Sequence, residues 1–189
     1  ASTQPIRFDL PPAADLVMTG LSIDSGAYAG APIGIDWSGV NMGPGAITAN
    51  WTDAVYLSRD AEWDIDDMLI GTLDQRGGLA VDKDYSARLT ADLPAVTEGW
   101  YYLILRGDIR DTVHEVIGQS GNTRASENAI YISVADIGLD TPVTLSLPPQ
   151  GERIVKVVVA EGETLRVSLT SENGAGQNEI YLRHGQAAG

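Results

Sequence analysis

Short apolar runs with a period of two recur along this chain. Ile33, Ile35 and Trp37 alternate with Gly34, Asp36 and Ser38, and Tyr85, Ala87 and Leu89 alternate with Ser86, Arg88 and Thr90. Successive side chains of a strand point to opposite faces, so such a run buries one face and wets the other. Similar runs occupy Leu16-Val17-Met18 and Leu21-Ser22-Ile23, Ala54 to Leu57, Met68-Leu69-Ile70, Trp100 to Leu105 and Asn128 to Val134. Turn residues separate them, as at Asn41-Met42-Gly43-Pro44-Gly45 and Gln75-Arg76-Gly77-Gly78. Glycine supplies positive φ there and proline fixes φ, and neither suits a strand interior. Seven or eight strands at short spacing, with no convincing helical period, predict an all-β antiparallel β-sandwich, with a barrel as the alternative.

Three units follow in order. Residues 1–13, with Pro5, Pro11 and Pro12, read as a lead-in linker. Residues 14–135 carry the sandwich. Residues 136–189 read as the start of a second β-module, with strands at Val143 to Leu147, Val155 to Val159, Leu165 to Leu169 and Glu179 to Arg183. Four strands in about fifty residues are marginal for an independent core, so the second module is expected to be partial.

Charge narrows the partners. Twenty-six acidic residues face twelve basic ones, a net charge of −14. Phosphate recognition needs basic patches, so nucleic acid is not an expected partner. No apolar run approaches the roughly 20 residues of a membrane span, and none follows a basic start as a signal peptide would. No membrane insertion is expected, and the chain reads as a mature fragment. With no cysteine, disulfides and thiolate metal sites are excluded.

The stretch Trp51 to Thr72 concentrates the chemistry. Two apolar runs flank an acidic connection that holds Asp60, Glu62, Asp64, Asp66 and Asp67 around Trp63. Calcium takes six to eight oxygen ligands, and Asp60, Asp64, Asp66 and Asp67 are candidates to supply several. The spacing is not that of an EF-hand. An ordinary turn, with each Asp bonded to its own backbone, is the competing reading. Trp63 is expected to pack over a strand end. Trp37 and Trp100 are expected at the centre of the sandwich, and Trp51, Tyr56 and Tyr102 in the core rather than on a carbohydrate platform.

Catalytic signals are weak. His114 beside Glu115 lacks the second spaced histidine of a metalloprotease helix. Ser58, Ser120, Ser126, His114 and His184 form a triad only on paper, since no G-x-S-x-G elbow is present. The chain is therefore not expected to be an enzyme. Asn50-Trp51-Thr52 fits the N-glycosylation pattern.

Five pieces, in order, resemble a known family: Ala14-Asp15-Leu16-Val17; Ile35 to Gly43 (IDWSGVNMG); WTDAVYLS with its acidic connection; Gly99-Trp100-Tyr101-Tyr102-Leu103; and Asn122 to Ser126 (NTRAS). Together they resemble CARDB, the cell-adhesion-related domain found in bacteria, over residues 14–134. Gly39 departs from that pattern and, packing nothing, would loosen a strand centre. A second departure falls at Gln119-Ser120-Gly121. Residues 143–184 resemble the start of bacterial jelly-roll-like modules found beside secreted peptidase domains.

The resemblance implies an Ig-like or fibronectin-III-like sandwich in a large secreted or surface protein, extracellular or on the bacterial cell surface. It implies an adhesive or spacer role, with other domains of the same protein, a cell-surface protein or a glycan as partners. The alternative is a calcium-stabilised accessory domain of a secreted peptidase or glycosidase.

Overall fold

The computed structural model describes residues 11–24, 26–115, 121–147, 149, 151–171 and 178–183. Pro5, Gln119, Ser120 and His184 lie outside the described residues. Eleven strands and no helix are found among the described residues. They are β1 (Leu16–Ile23), β2 (Ala27–Tyr28), β3 (Pro32–Asn41), β4 (Trp51–Ser58), β5 (Met68–Gln75), β6 (Asp84–Asp92), β7 (Gly99–Arg106), β8 (Thr123–Ala125), β9 (Ile130–Ser133), β10 (Ala135–Asp136) and β11 (Val155–Lys156).

Two sheets face each other. One has the order β1-β3-β6, antiparallel throughout. The other runs β2-β9-β7-β4-β5, with β8 also on β7. One edge of β7 is divided: β9 pairs with Gly99–Tyr101 and β8 with Ile104–Arg106. The opposite edge pairs with β4. The pair β2–β9 is parallel, which makes this sheet mixed. At one side of the sandwich β5 meets β6 closely. A Cβ on Gly71 would lie 2.9 Å from Leu89 Cδ2.

The core joins the inward faces of both sheets. Leu16, Met18, Ile33, Ile35 and Trp37 meet Trp51, Val55, Leu57, Tyr101, Leu103, Leu105 and Ile132. Each such side chain removes apolar area from water at about 25 cal/mol per Å². Trp37 is central, as expected. Trp100 is not: it is 64% exposed. In β7 the inward positions are Tyr101, Leu103 and Leu105, so Trp100 and Tyr102 share the outward phase.

Gly39 also behaves differently from the expectation. It pairs with Tyr85, and a Cβ there would sit 2.6 Å from the Tyr85 ring and 3.0 Å from Met18 Cε. Its missing side chain is the space that Tyr85 and Met18 occupy, so the strand centre is filled rather than loosened.

Beyond Asp136 the four expected strands reduce to one, the short β11, which pairs in parallel with β10. Val143, Leu145, Leu147, Leu165, Val167 and Leu169 keep their alternation but are exposed and belong to no strand. Alternation names a face; it does not supply a partner strand. Residues 151–156, in contrast, lie against the sandwich. Ile154 packs on the core, Lys156 Nζ pairs with Glu98 Oε1 at 3.2 Å, and Gly30 admits the Glu152–Arg153 backbone alongside. Gly30 has φ +69°, and a Cβ on it would approach Glu152 O to 2.7 Å.

Candidate functional site

The acidic connection between β4 and β5 is a sequence of self-bonded turns. Ser58 Oγ accepts from the Asp60 amide at 3.2 Å, and Asp60 Oδ1 accepts from the Glu62 amide at 2.9 Å. Asp64 Oδ1 accepts from Asp66 N at 2.8 Å, and Asp67 Oδ2 from Asp64 N at 3.1 Å. Asp residues favour this geometry because a short carboxylate reaches a backbone amide two or three residues away. Asp60, Asp64 and Asp66 are exposed and Asp67 is half-buried, so water separates their charges. Among the described residues, no group of three or more His, Asp or Glu side chains is placed to hold a metal ion.

Trp63 folds the connection back over the outward face of the larger sheet. Its ring meets Tyr56 edge-on at 6.2 Å, and the Arg106 guanidinium lies 3.7 Å over it. A guanidinium over an indole is an attractive cation–π geometry. The ring therefore packs over strands β4 and β7, as the sequence suggests.

The interior holds the other carboxylates. Trp51, Asp53, Val55 and Leu57 share the inward phase of β4, so Asp53 is carried into the core, where it is fully buried. Its Oδ2 accepts three hydrogen bonds: from Trp37 Nε1 at 2.9 Å, Gln75 Nε2 at 3.1 Å and Tyr85 Oη at 2.7 Å. Those donors come from β3, β5 and β6, so one oxygen ties the two sheets together. Oδ1 is buried and accepts none. Burial pushes the Asp53 carboxyl above the ordinary carboxylate range, against the pull of the three donors. Burial, then the Asp53 charge, pushes the Tyr85 phenol up as well, so it stays a proton donor.

Three more side chains bind loops to strands. Asn41, at the end of β3, accepts from the amides of Asp15 and Gly43, both at 3.1 Å, through Oδ1. Its Nδ2 donates to the carbonyls of Gly45, Leu79 and Ala80. Asp108 accepts from Thr112 N, Thr112 Oγ1 and Val113 N, which holds the turn after β7. Glu115 accepts from Leu16 N at 2.6 Å and from Asn122 Nδ2 at 3.0 Å. Burial raises its pKa too.

The remaining candidates do not assemble. The carbonyl of His114 accepts from Ala14 N, which uses its backbone to anchor the entry to β1. His114 neighbours Thr112, whose hydroxyl donates to the carbonyl of Asn50 at the Trp51 end of β4. Ser58 is at the other end of β4, about 20 Å away at roughly 3.3 Å per residue. Ser126 Oγ accepts from Leu103 N and donates to Asn128 O. Sequence reasoning missed Asp53, although its place in phase with Trp51, Val55 and Leu57 is the signal that finds it.

On the outer face of the smaller sheet, Arg88 reaches across β3. It pairs with Asp24 at 2.6 Å and with Asp36. Gly34 leaves the space this guanidinium crosses. All three side chains are about half exposed, so the pairs contribute little to stability.

No family model matches the chain, and no curated protein matches it. Among solved structures, the chain is similar to the CARDB domain of a Pyrococcus furiosus protein crystallised with di-metal ions. That match has 14% identity and a TM-score of 0.46, covering 64% of this chain and 94% of that one. It is also similar to part of a β-glucosidase of Bifidobacterium adolescentis, at 13% identity and a TM-score of 0.41, over 69% of this chain and 19% of that one. A β-glucosidase of Listeria innocua, in complex with glucose, matches at 12% identity and a TM-score of 0.39, over 64% of this chain and 16% of that one.

Proposed function

We propose that this chain is a non-catalytic Ig-like module of a large bacterial secreted or surface protein, acting as a spacer or adhesive element. One observation carries the reading. The buried polar side chains Asn41, Asp53 and Asp108 are engaged in joining strands and loops, so the polar chemistry of the interior maintains a scaffold. The five CARDB-like pieces between residues 14 and 134 support the same reading. So does the acidity, which favours solubility outside a cell and disfavours anionic partners.

The partners in this reading are neighbouring domains of the same protein and a cell-surface protein or glycan. Calcium at the acidic connection, if bound, would stiffen the β4–β5 turn and supply no chemistry to a reaction.

Two measurements test the proposal. The purified chain is incubated with chromogenic peptides and nitrophenyl glycosides, with and without calcium. No turnover above buffer is expected. Turnover that Asp53→Asn abolishes would overturn the non-catalytic reading. Antibodies against the chain should label intact cells of the source organism, and labelling that appears only after lysis would overturn the surface setting.

A further inference from the structure

The outward face of β2, β9 and β7 carries an aromatic patch that the scaffold does not explain. Trp100, Tyr28 and Tyr131 are 64%, 48% and 45% exposed. Trp100 is directly opposite Tyr131 in the β7–β9 pair, and their rings meet at 5.2 Å with an interplanar angle of 70°. Tyr28 is opposite Ser133, two residues along β9 from Tyr131. The three rings thus span three adjacent strands, roughly 10 Å at the usual strand spacing. A tryptophan on a central strand normally covers or is covered, because its ring is the largest apolar surface a residue offers.

We propose that this face binds an uncharged saccharide. The inference rests on the adhesive reading and gives it a partner class. Charge selects the partner. The outward positions Tyr28, Tyr131, Ser133, Trp100 and Tyr102 hold no charged side chain, in a chain with 26 acidic and 12 basic residues. A neutral patch in an acidic molecule repels anions at long range and offers a cation no carboxylate at contact. A pyranose suits both features of the patch. Its C–H face stacks on an exposed ring, and its hydroxyls meet the phenols of Tyr28 and Tyr131 and the hydroxyl of Ser133.

The 70° angle makes a corner, so a sugar on one ring has its edge against the other. The rings are also placed in advance. Trp100 is paired with Tyr131 of β9, and its strand pairs with β4 from Tyr102 onward, so little backbone freedom remains to be lost on binding. The half-buried Trp63 on the same sheet differs, because Arg106 covers its ring.

The test is calorimetric titration of the full chain with neutral hexasaccharides of glucose, mannose and N-acetylglucosamine, up to about 10 mM to capture millimolar affinities. At least one should bind, and Trp100→Ala should weaken it about tenfold or more while leaving the melting temperature close to the parent's. Tyr131→Phe, which keeps the ring and removes one hydroxyl, should weaken it less. If no hexasaccharide binds, or if Trp100→Ala binds equally well, the saccharide proposal falls while the non-catalytic module stands. Capture of an arginine-rich peptide that depends on Trp100, without saccharide binding, would reassign the face to a basic segment. Trp100-dependent dimerisation would reassign it to a second copy. Cleavage of a hexasaccharide would instead overturn the non-catalytic reading.

Discussion

Two acidic regions of this molecule differ in every respect except the type of side chain. Between β4 and β5 five carboxylates crowd into eight positions and stay in or near water, and three of them, Asp60, Asp64 and Asp67, bond the loop's own backbone. In the core Asp53 is sealed from water and bonds three strands of two sheets. The crowded region looks chemically important in the sequence and is structurally modest. The solitary residue looks incidental and holds the sandwich together. Burial, rather than the number of carboxylates, decides which group matters, because an unsolvated polar group must find partners or destabilise the fold.

The strongest way to break this contrast is Asp53→Leu. It leaves Trp37 Nε1, Tyr85 Oη and Gln75 Nε2 without their acceptor and should cost about 3 kcal/mol in urea unfolding. Asp53→Asn keeps an acceptor in place and should cost only about 1 kcal/mol. Equal costs for the two would mean that shape, not hydrogen bonding, fills the site. Asn41→Ala removes the partners of two amides and three carbonyls and should cost about 2 kcal/mol by the same measurement.

Trp63→Ala tests the acidic connection. It deletes the contacts with Tyr56 and Arg106 and should cost about 1 kcal/mol, with β4 and β5 still paired in NMR spectra.

Protonation sharpens the comparison further. The folded-state pKa of Asp53 is raised, so the folded chain holds a proton that the unfolded chain has released. The stabilisation is fully present below the unfolded pKa and is lost as pH rises through the folded pKa. Glu115 acts with the same sign. As pH rises above the ordinary carboxylate range the parent should lose stability relative to Asp53→Asn, and a flat difference between their urea midpoints would mean that Asp53 titrates as an ordinary carboxylate. The smallest effect is expected from Asp64→Ala, about 0.5 kcal/mol for one exposed turn bond. Calorimetry with calcium belongs beside it: no heat is expected, and a heat that this variant abolishes would turn the loop into a cation cage and erase the contrast.

Much of the sandwich was legible because its strands have one wet and one dry face. Where a strand is apolar on both faces the period disappears, and Trp100 shows the consequence. In Gly99–Arg106 almost every residue is apolar, so the phase that separates Trp100 from Tyr101 is visible only in the register with β4 and β9. β2 and β8 have two and three residues, too few to show any period. Val143 to Leu147 shows the opposite failure, a clear period with no strand to pair with.

The acidic connection was legible as a turn, since Asp chemistry is local. Asp53 was not, because its partners are 16, 22 and 32 residues away. The loops bound by Asn41 and Glu115 were hidden for the same reason.

The start of β1 and the residues leading into it are held on both sides. β3 pairs along one edge, while Ala14 N, Leu16 N and Met18 N donate to His114 O, Glu115 Oε1 and Gly121 O on the other. A tension applied at residue 14 along the strand axis therefore loads two rows of hydrogen bonds in shear, all at once instead of one after another. A link that fails that way gives a single tall rupture when one molecule is pulled, and until then it transmits force without lengthening.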